Sequence, residues 1–357
     1  MSLPSLKIGE LIAKVPIIQG GMGVGVSLSR LASAVANHGG IGVISGVQIG
    51  YSEPDFSTNP DQANLRALTK QIRKAKDLSP SGIIGVNLLA AINNYEDMVK
   101  TAVKENIDVI VTGAGLPKNL PGLVEDAKTK LAPIVSSGKA ASLICKLWDK
   151  RYNRVPDIVI VEGPLAGGHL GFKKQQLNSP DCSTLEKLIP ETQEALHPFA
   201  KKYERTIPVV AAGGIFNGQD IAKFLKMGAQ GVQMGTRFVT TEECDVHENF
   251  KKAYINSREQ DIQLVDSPVG MPGRAISNNF TKQIETKRIP VSKCNNCLKP
   301  CDPSTNIYCI SEALIKSCQG NTTDGLIFSG TNAYRTNKLT SVKDLMTSLV
   351  QEAELAY

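Results

Sequence analysis

Residues 209–215 read Val-Val-Ala-Ala-Gly-Gly-Ile, and residues 231–238 read Gly-Val-Gln-Met-Gly-Thr-Arg-Phe. Each is a short apolar run that breaks into glycine. Runs that are continuous rather than alternating suit strands buried on both faces, as in a parallel sheet. Gly218–Met227 lies between them with helical patterning and stops at Gly228. The turns at Gly213 or Gly214 and at Gly235 stand 22 or 21 positions apart, one strand–helix–strand unit. Paired glycine turns after the last two strands of a barrel commonly present backbone N–H groups to a phosphate. Gly213, Gly214, Gly235 and Thr236 are therefore predicted to hold the anionic end of a ligand, with Thr236 adding a hydroxyl.

The same alternation runs back to the N-terminal end. Further strands are predicted at Val15–Ile18, Ile41–Ile44, Ile83–Val86, Val109–Val111, Ile134–Val135 and Ile158–Val161. Helices are predicted at Leu28–Asn37 (with Ser27 and Ser29 as caps), Asn94–Asn106 and Lys139–Tyr152. Eight strands alternating with helices predict an α/β fold, a (β/α)8 TIM barrel over residues 1–240. An open doubly wound sheet is the rival. It would normally carry GxGxxG in its first turn and an acidic residue after its second strand. Gly21-Met22-Gly23-Val24-Gly25 lacks that spacing, and Ser45-Gly46 follows the second strand. Insertions are expected after strand 2 (47–81, with a helix at Asp61–Lys76) and after strand 6 (172–206). Residues 241–357 read as a helical, cysteine-containing extension packed on the barrel, ending in an amphipathic segment at Ser341–Leu355.

Composition limits the function. Of 357 residues, 41% are hydrophobic and 21% charged, a globular mix that excludes intrinsic disorder and coiled coil. The charge of +6 comes from 40 Lys plus Arg against 34 Asp plus Glu, scattered without the basic stripe that nucleic acid requires. No apolar run reaches the roughly 18–20 residues of a membrane helix. Met1–Gly9 has no basic region followed by an apolar one, so a cytoplasmic location is expected. The 8 cysteines are then expected to be reduced.

Barrels place their functional groups at strand ends. The first strand ends in Gln19-Gly20-Gly21-Met22-Gly23, where glycines either admit a flat ligand close to the backbone or simply make a tight turn. The third ends in Asn87, an amide that can bond a ring edge or form a turn. The sixth ends in Glu162-Gly163-Pro164-Leu165-Ala166-Gly167-Gly168-His169-Leu170-Gly171. His169 follows two glycines at a strand end and precedes an insertion able to cover it, a setting for a proton-transfer group. His38, His197 and His247 read as capping or surface residues.

These motifs together resemble the nitronate monooxygenase family, formerly called 2-nitropropane dioxygenases, which includes flavin-dependent enoyl-acyl-carrier-protein reductases. The likeness rests on the two stretches quoted first, on Ala166–Gly171, on Pro16-Ile17-Ile18-Gln19-Gly20-Gly21-Met22-Gly23, on Gly85-Val86-Asn87 and on Gly273-Arg274-Ala275 with Asn279. It implies an FMN-binding barrel. Carried over by position, it implies flavin contacts at Gly21, Met22, Asn87, Glu162 and Gly167, phosphate contacts at Gly214, Gln233, Met234, Gly235 and Thr236, and a catalytic base at His169. The chain departs from the family at Pro164-Leu165, where many relatives carry a glutamate.

The resemblance leaves three readings. One is oxidation of nitronates or nitroalkanes with O2 to a carbonyl compound and nitrite. The second is NAD(P)H-dependent reduction of an enoyl thioester or quinone. The third is a non-catalytic flavin-holding subunit of a lipid-synthesis assembly. Small-molecule substrates, an acyl-carrier protein and a second copy of the chain are the corresponding partners. Separately, Cys294-Asn-Asn-Cys297-Leu-Lys-Pro-Cys301 with Cys309 has ligand-like spacing. It reads either as an iron–sulfur or zinc site or as a dense set of reduced thiols.

Overall fold

A computed structural model describes residues 2–125 and 127–357. Eight strands close into one parallel barrel: β1 (Ile17–Gln19), β2 (Ile41–Ser45), β3 (Ile83–Leu89), β4 (Val109–Gly113), β5 (Lys130–Val135), β6 (Val159–Glu162), β7 (Val209–Ala212) and β8 (Gly231–Met234). Val232 beside Ile17 and Gln233 beside Ile18 close the ring. Both faces of each strand are dry. Val210, Ala212, Ile18, Val43 and Ile160 fill the barrel interior, while Val209, Ala211, Ile17, Ile44 and Val161 meet the helices outside. Burial on both sides is why the strands read as unbroken apolar runs.

Seven helices alternate with these strands: α1 (Ser29–Asn37), α2 (Pro60–Leu78), α3 (Tyr95–Lys104), α4 (Leu120–Val124), α5 (Gly138–Tyr152), α6 (Leu185–Lys202) and α7 (Gly218–Lys226). Three expectations need correction. First, neither Ser27 nor Ser29 caps α1. Asp245 does so from far along the chain, its Oδ2 accepting from the N–H groups of Leu28 (2.8 Å) and Leu31 (3.2 Å). Asp245→Ala is expected to cost about 1–2 kcal/mol, the usual effect of losing a side-chain cap. Urea unfolding measures it, and an unchanged midpoint would contradict the assignment.

Second, 47–81 is mostly α2, the second barrel helix, packed on α1, α3 and β3, and most of 172–206 is not an insertion either. The larger part of the latter is α6, which packs on α5, β6 and β7 as the sixth barrel helix. The added segment is the loop from Gly163 to Thr184, with a single helical turn at Lys174–Leu177.

Third, the C-terminal region is neither purely helical nor merely attached. Its last helix, Val342–Ala356, packs against α7 and α1, the place of the missing eighth barrel helix. The approach is close: a Cβ on Gly218 would lie 2.3 Å from the Ala353 nitrogen, and the Gly218 N–H donates to Glu352 Oε2 at 2.9 Å. Residues 240–341 are thus inserted between β8 and its helix. Within them, Ile262–Val265 and Gly273–Ile276 form an antiparallel sheet whose third strand is Gly168–His169. That pairing carries the inserted segment across the C-terminal ends of the barrel strands.

Candidate active site

The C-terminal ends of the strands open into a cavity of about 270 Å³. Every residue expected to touch the flavin, its phosphate or the reacting atoms borders it: Gly21, Met22, Asn87, Glu162, Gly167, His169, Gly213, Gly214, Gln233, Met234, Gly235 and Thr236. They come from β1, β3, β6, β7 and β8, brought together only by closure of the barrel.

The β7 and β8 turns form one end. Gly213 and Gly214 have φ of +94° and +87°, left-handed conformations that favour glycine. Both residues border the cavity. Among the described residues, no carbonyl or side chain accepts from the N–H groups of Gly214, Gly235 or Thr236. Amides without partners beside a cavity suit a phosphate. Close by, Gln233 Oε1 and Ser329 Oγ are buried with no hydrogen-bond partner. Buried polar atoms are normally paired, so these two await a ligand's polar groups.

The first glycine turn forms the floor. A Cβ on Gly21 would lie 2.3 Å from Asn87 Cβ, so only glycine lets the β1 loop settle against the β3 end.

At the other wall stands His169. Its Nε2 lies 2.8 Å from Ser267 Oγ, which also accepts from the Val269 N–H at 3.3 Å. Its ring meets Phe328 edge-on, with centroids 4.9 Å apart. Burial without a charged partner lowers its pKa to about 4, so the imidazole is neutral at pH 7. Glu162 borders the cavity, half-buried at the end of β6. Desolvation raises its carboxyl to about 8, which leaves the acid mostly protonated and a hydrogen-bond donor at neutral pH. Arg274 braces this wall by donating to the Pro164 carbonyl (2.8 Å) and to that of Ala166.

The cysteine motif does not assemble into a metal centre. Among the described residues, no group of three or more His, Cys, Asp or Glu is placed to hold an ion. Cys294 Sγ accepts from the Asn296 N–H, Cys301 Sγ accepts from the Asn306 amide, and of the four only Cys297 borders the cavity. Burial raises the Cys297 thiol to about 12, and the nearby Cys309, Cys301 and Cys294 add to the shift. The segment's visible task is to roof the cavity.

Other lining residues were not legible beforehand: Ser45, Gln48, Asn94, Ser311, Phe328 and Ser329. Isolated serines and amides carry no spacing signal. Only Ser45, which ends a barrel strand, occupied a position that could have singled it out.

A closed barrel with paired glycine turns after β7 and β8 and an imidazole bordering the same cavity has the layout of a barrel enzyme. The sequence then places it: the nitronate monooxygenase family model matches residues 5–352, and the chain belongs to that family. It is an FMN-dependent oxidoreductase of the nitronate monooxygenase type. A probable nitronate monooxygenase of Staphylococcus haemolyticus is 29% identical over 77% of this chain and 79% of its own. The Rhodococcus jostii (3aS,4S,5R,7aS)-5-hydroxy-7a-methyl-1-oxo-octahydro-1H-indene-4-carboxyl-CoA dehydrogenase is 29% identical over 80% of this chain and 69% of its own. Among solved structures, FabK from Thermotoga maritima superposes with a TM-score of 0.73 at 25% identity, covering 96% of this chain and 93% of its own. Nitroalkane oxidase from Streptomyces ansochromogenes shares the fold, with a TM-score of 0.72 at 20% identity and 96% coverage of both chains.

Proposed function

We propose that this enzyme oxidises nitronates and nitroalkanes with O2 to a carbonyl compound and nitrite, with His169 as the base. The observation that carries the reading is a neutral imidazole in the cavity that also holds the unpartnered amides of Gly214, Gly235 and Thr236. Those amides and the Thr236 hydroxyl would hold the FMN phosphate, Gln233 and Ser329 the polar groups of its chain, and Gly21, Met22 and Asn87 its ring. When bound, FMN supplies the electron transfer between the organic anion and O2.

The residues do the rest. His169 takes the proton α to the nitro group. A charged imidazolium is costly in this dry wall, and the nitronate made in the same step offsets it as an ion pair. Ser267 fixes the ring's orientation through Nε2. Glu162, uncharged, donates without repelling the anion. Because the base works only when unprotonated and Glu162 ionises towards pH 8, kcat/KM for a neutral nitroalkane is expected to stay level from about pH 5 to 7 on the acid side of that change. Towards acid it should fall only near the lowered value of about 4. An acid limb near the ordinary histidine value of about 6.5 would contradict this.

A second reading is NAD(P)H-dependent reduction of an enoyl thioester, favoured by the likeness to the Rhodococcus dehydrogenase, whose name carries a CoA thioester. Anaerobic NADH or NADPH separates the two. Rapid bleaching of bound flavin supports the reductase; nitrite release with oxygen uptake from a nitronate supports the oxygenase.

A further inference from the structure

Away from His169 the cavity continues between the β2 exit loop, the start of α3, the roof at Asn295–Leu298 and the helix Ile310–Cys318. We infer that Ser45, Gln48, Asn94 and Ser311 make this part a recognition chamber for an uncharged carbon chain bearing a carbonyl or other neutral oxygen. The inference rests on the flavin-oxidoreductase reading and names the class of substrate whose reacting end would lie by His169.

Three polar groups here have no partner: Ser45 Oγ, Ser311 Oγ and Asn94 Nδ2. Ser45 and Ser311 are 1% and 2% exposed, so bulk water does not serve them. All three residues line the cavity. Two hydroxyls and an amide N–H can all donate, and a neutral oxygen accepts from them. A plain hydrocarbon would leave them unpaired in a dry wall, which disfavours it.

Gln48 shows that the chamber is built rather than left over. It is buried yet holds a left-handed φ of +48°, a conformation non-glycine residues rarely keep without support. The support is present. Asn64 Nδ2 donates to Gln48 Oε1 at 3.2 Å, and Asn64 Oδ1 accepts from the Gly50 N–H at 2.8 Å. The rest of the Gln48 amide is left toward the Cys297 thiol in the roof. That roof is tied to the β3 exit by the Asn93 N–H donating to the Cys297 carbonyl (3.2 Å) and the Lys299 N–H donating to the Ala91 carbonyl (2.9 Å).

Charge defines the occupant further. Among the described residues, no lysine or arginine lines the cavity, and the only formal charge in this part is Asp61 on an exposed helix turn. A carboxylate or phosphate would find no counter-charge there. Ile92, Leu298, Ile310 and Leu314 supply the apolar surface for carbon.

Titration calorimetry tests this with three unreactive chains of equal length: 2-octanone, octanoate and 1-chlorooctane, on FMN-loaded and on flavin-free protein. The ketone is expected to bind at least about tenfold tighter than octanoate at neutral pH. Ser311→Ala and, separately, Asn94→Leu are each expected to weaken the ketone by about tenfold, one lost hydrogen bond with its desolvation, and chlorooctane by less than about twofold. Ser311→Ala removes an unpaired hydroxyl, so its Tm should hold. Equal losses for ketone and chlorooctane, or octanoate binding as tightly as the ketone, would overturn the chamber. Failure of FMN to load would count against the flavin reading instead, and the flavin-free titrations would still decide this one.

Discussion

Gly235→Leu is expected to yield a folded protein that no longer retains FMN. Gly235 has an ordinary φ of −118°, and a Cβ there would meet only the flexible Met22 side chain, its Sδ at 3.3 Å and its Cγ at 3.6 Å. The backbone therefore tolerates the change. The larger side chain would stand in the space between the β8 turn and the β1 loop. It would also screen the Gly235 and Thr236 amides from an anion. Charge-assisted hydrogen bonds contribute about 1.5–3 kcal/mol each, so losing two weakens FMN by at least about 100-fold. Thermal unfolding of the flavin-free protein should be unchanged within a few degrees. A yellow, fully loaded variant would remove these turns from the phosphate site.

The second large effect is at His169. His169→Ala should keep its flavin, because the phosphate turns lie on other strands. Turnover of a neutral nitroalkane should fall by about 10²–10⁴-fold, the usual contribution of a positioned base. Turnover of the preformed nitronate should change by less than about tenfold, since its proton is already gone. Comparing kcat/KM for the two substrates in parallel reads proton removal apart from binding. Equal losses would make His169 a positioning group; no loss on the nitroalkane would remove it from the reaction.

Much of this was legible because the barrel writes itself plainly. Val209–Ala212 and Gly231–Met234 are strands at their predicted bounds, since both ends are marked by proline or glycine. The bounds of β1 were less clear. Val15 is apolar but lies before the strand, its N–H bonded to the Gly39 carbonyl at 2.9 Å. β5 begins at Lys130, whose charge concealed the strand start. The eighth helix was illegible for a different reason. Local patterning finds the helix at 342–356, but nothing local says that it returns across about a hundred residues to sit beside α7. The same distance hid Asp245 as the cap of α1 and Ser267 as the partner of His169. Close spacing misled in the cysteine motif, where Cys294 and Cys301 bond neighbouring amides and, among the described residues, no three such groups are placed to hold an ion. Residues near in sequence give a motif, but a ligand set needs side chains aimed at one point.

The central physical claim is that backbone amides after β7 and β8 hold a mononucleotide by its phosphate. Parallel titrations of the flavin-free protein with FMN and with riboflavin, which differ only in that group, measure it directly. One FMN per chain is expected, bound at least about 100-fold tighter than riboflavin, as two or more charge-assisted hydrogen bonds require. Equal affinity for the two flavins, or binding of neither, would contradict it.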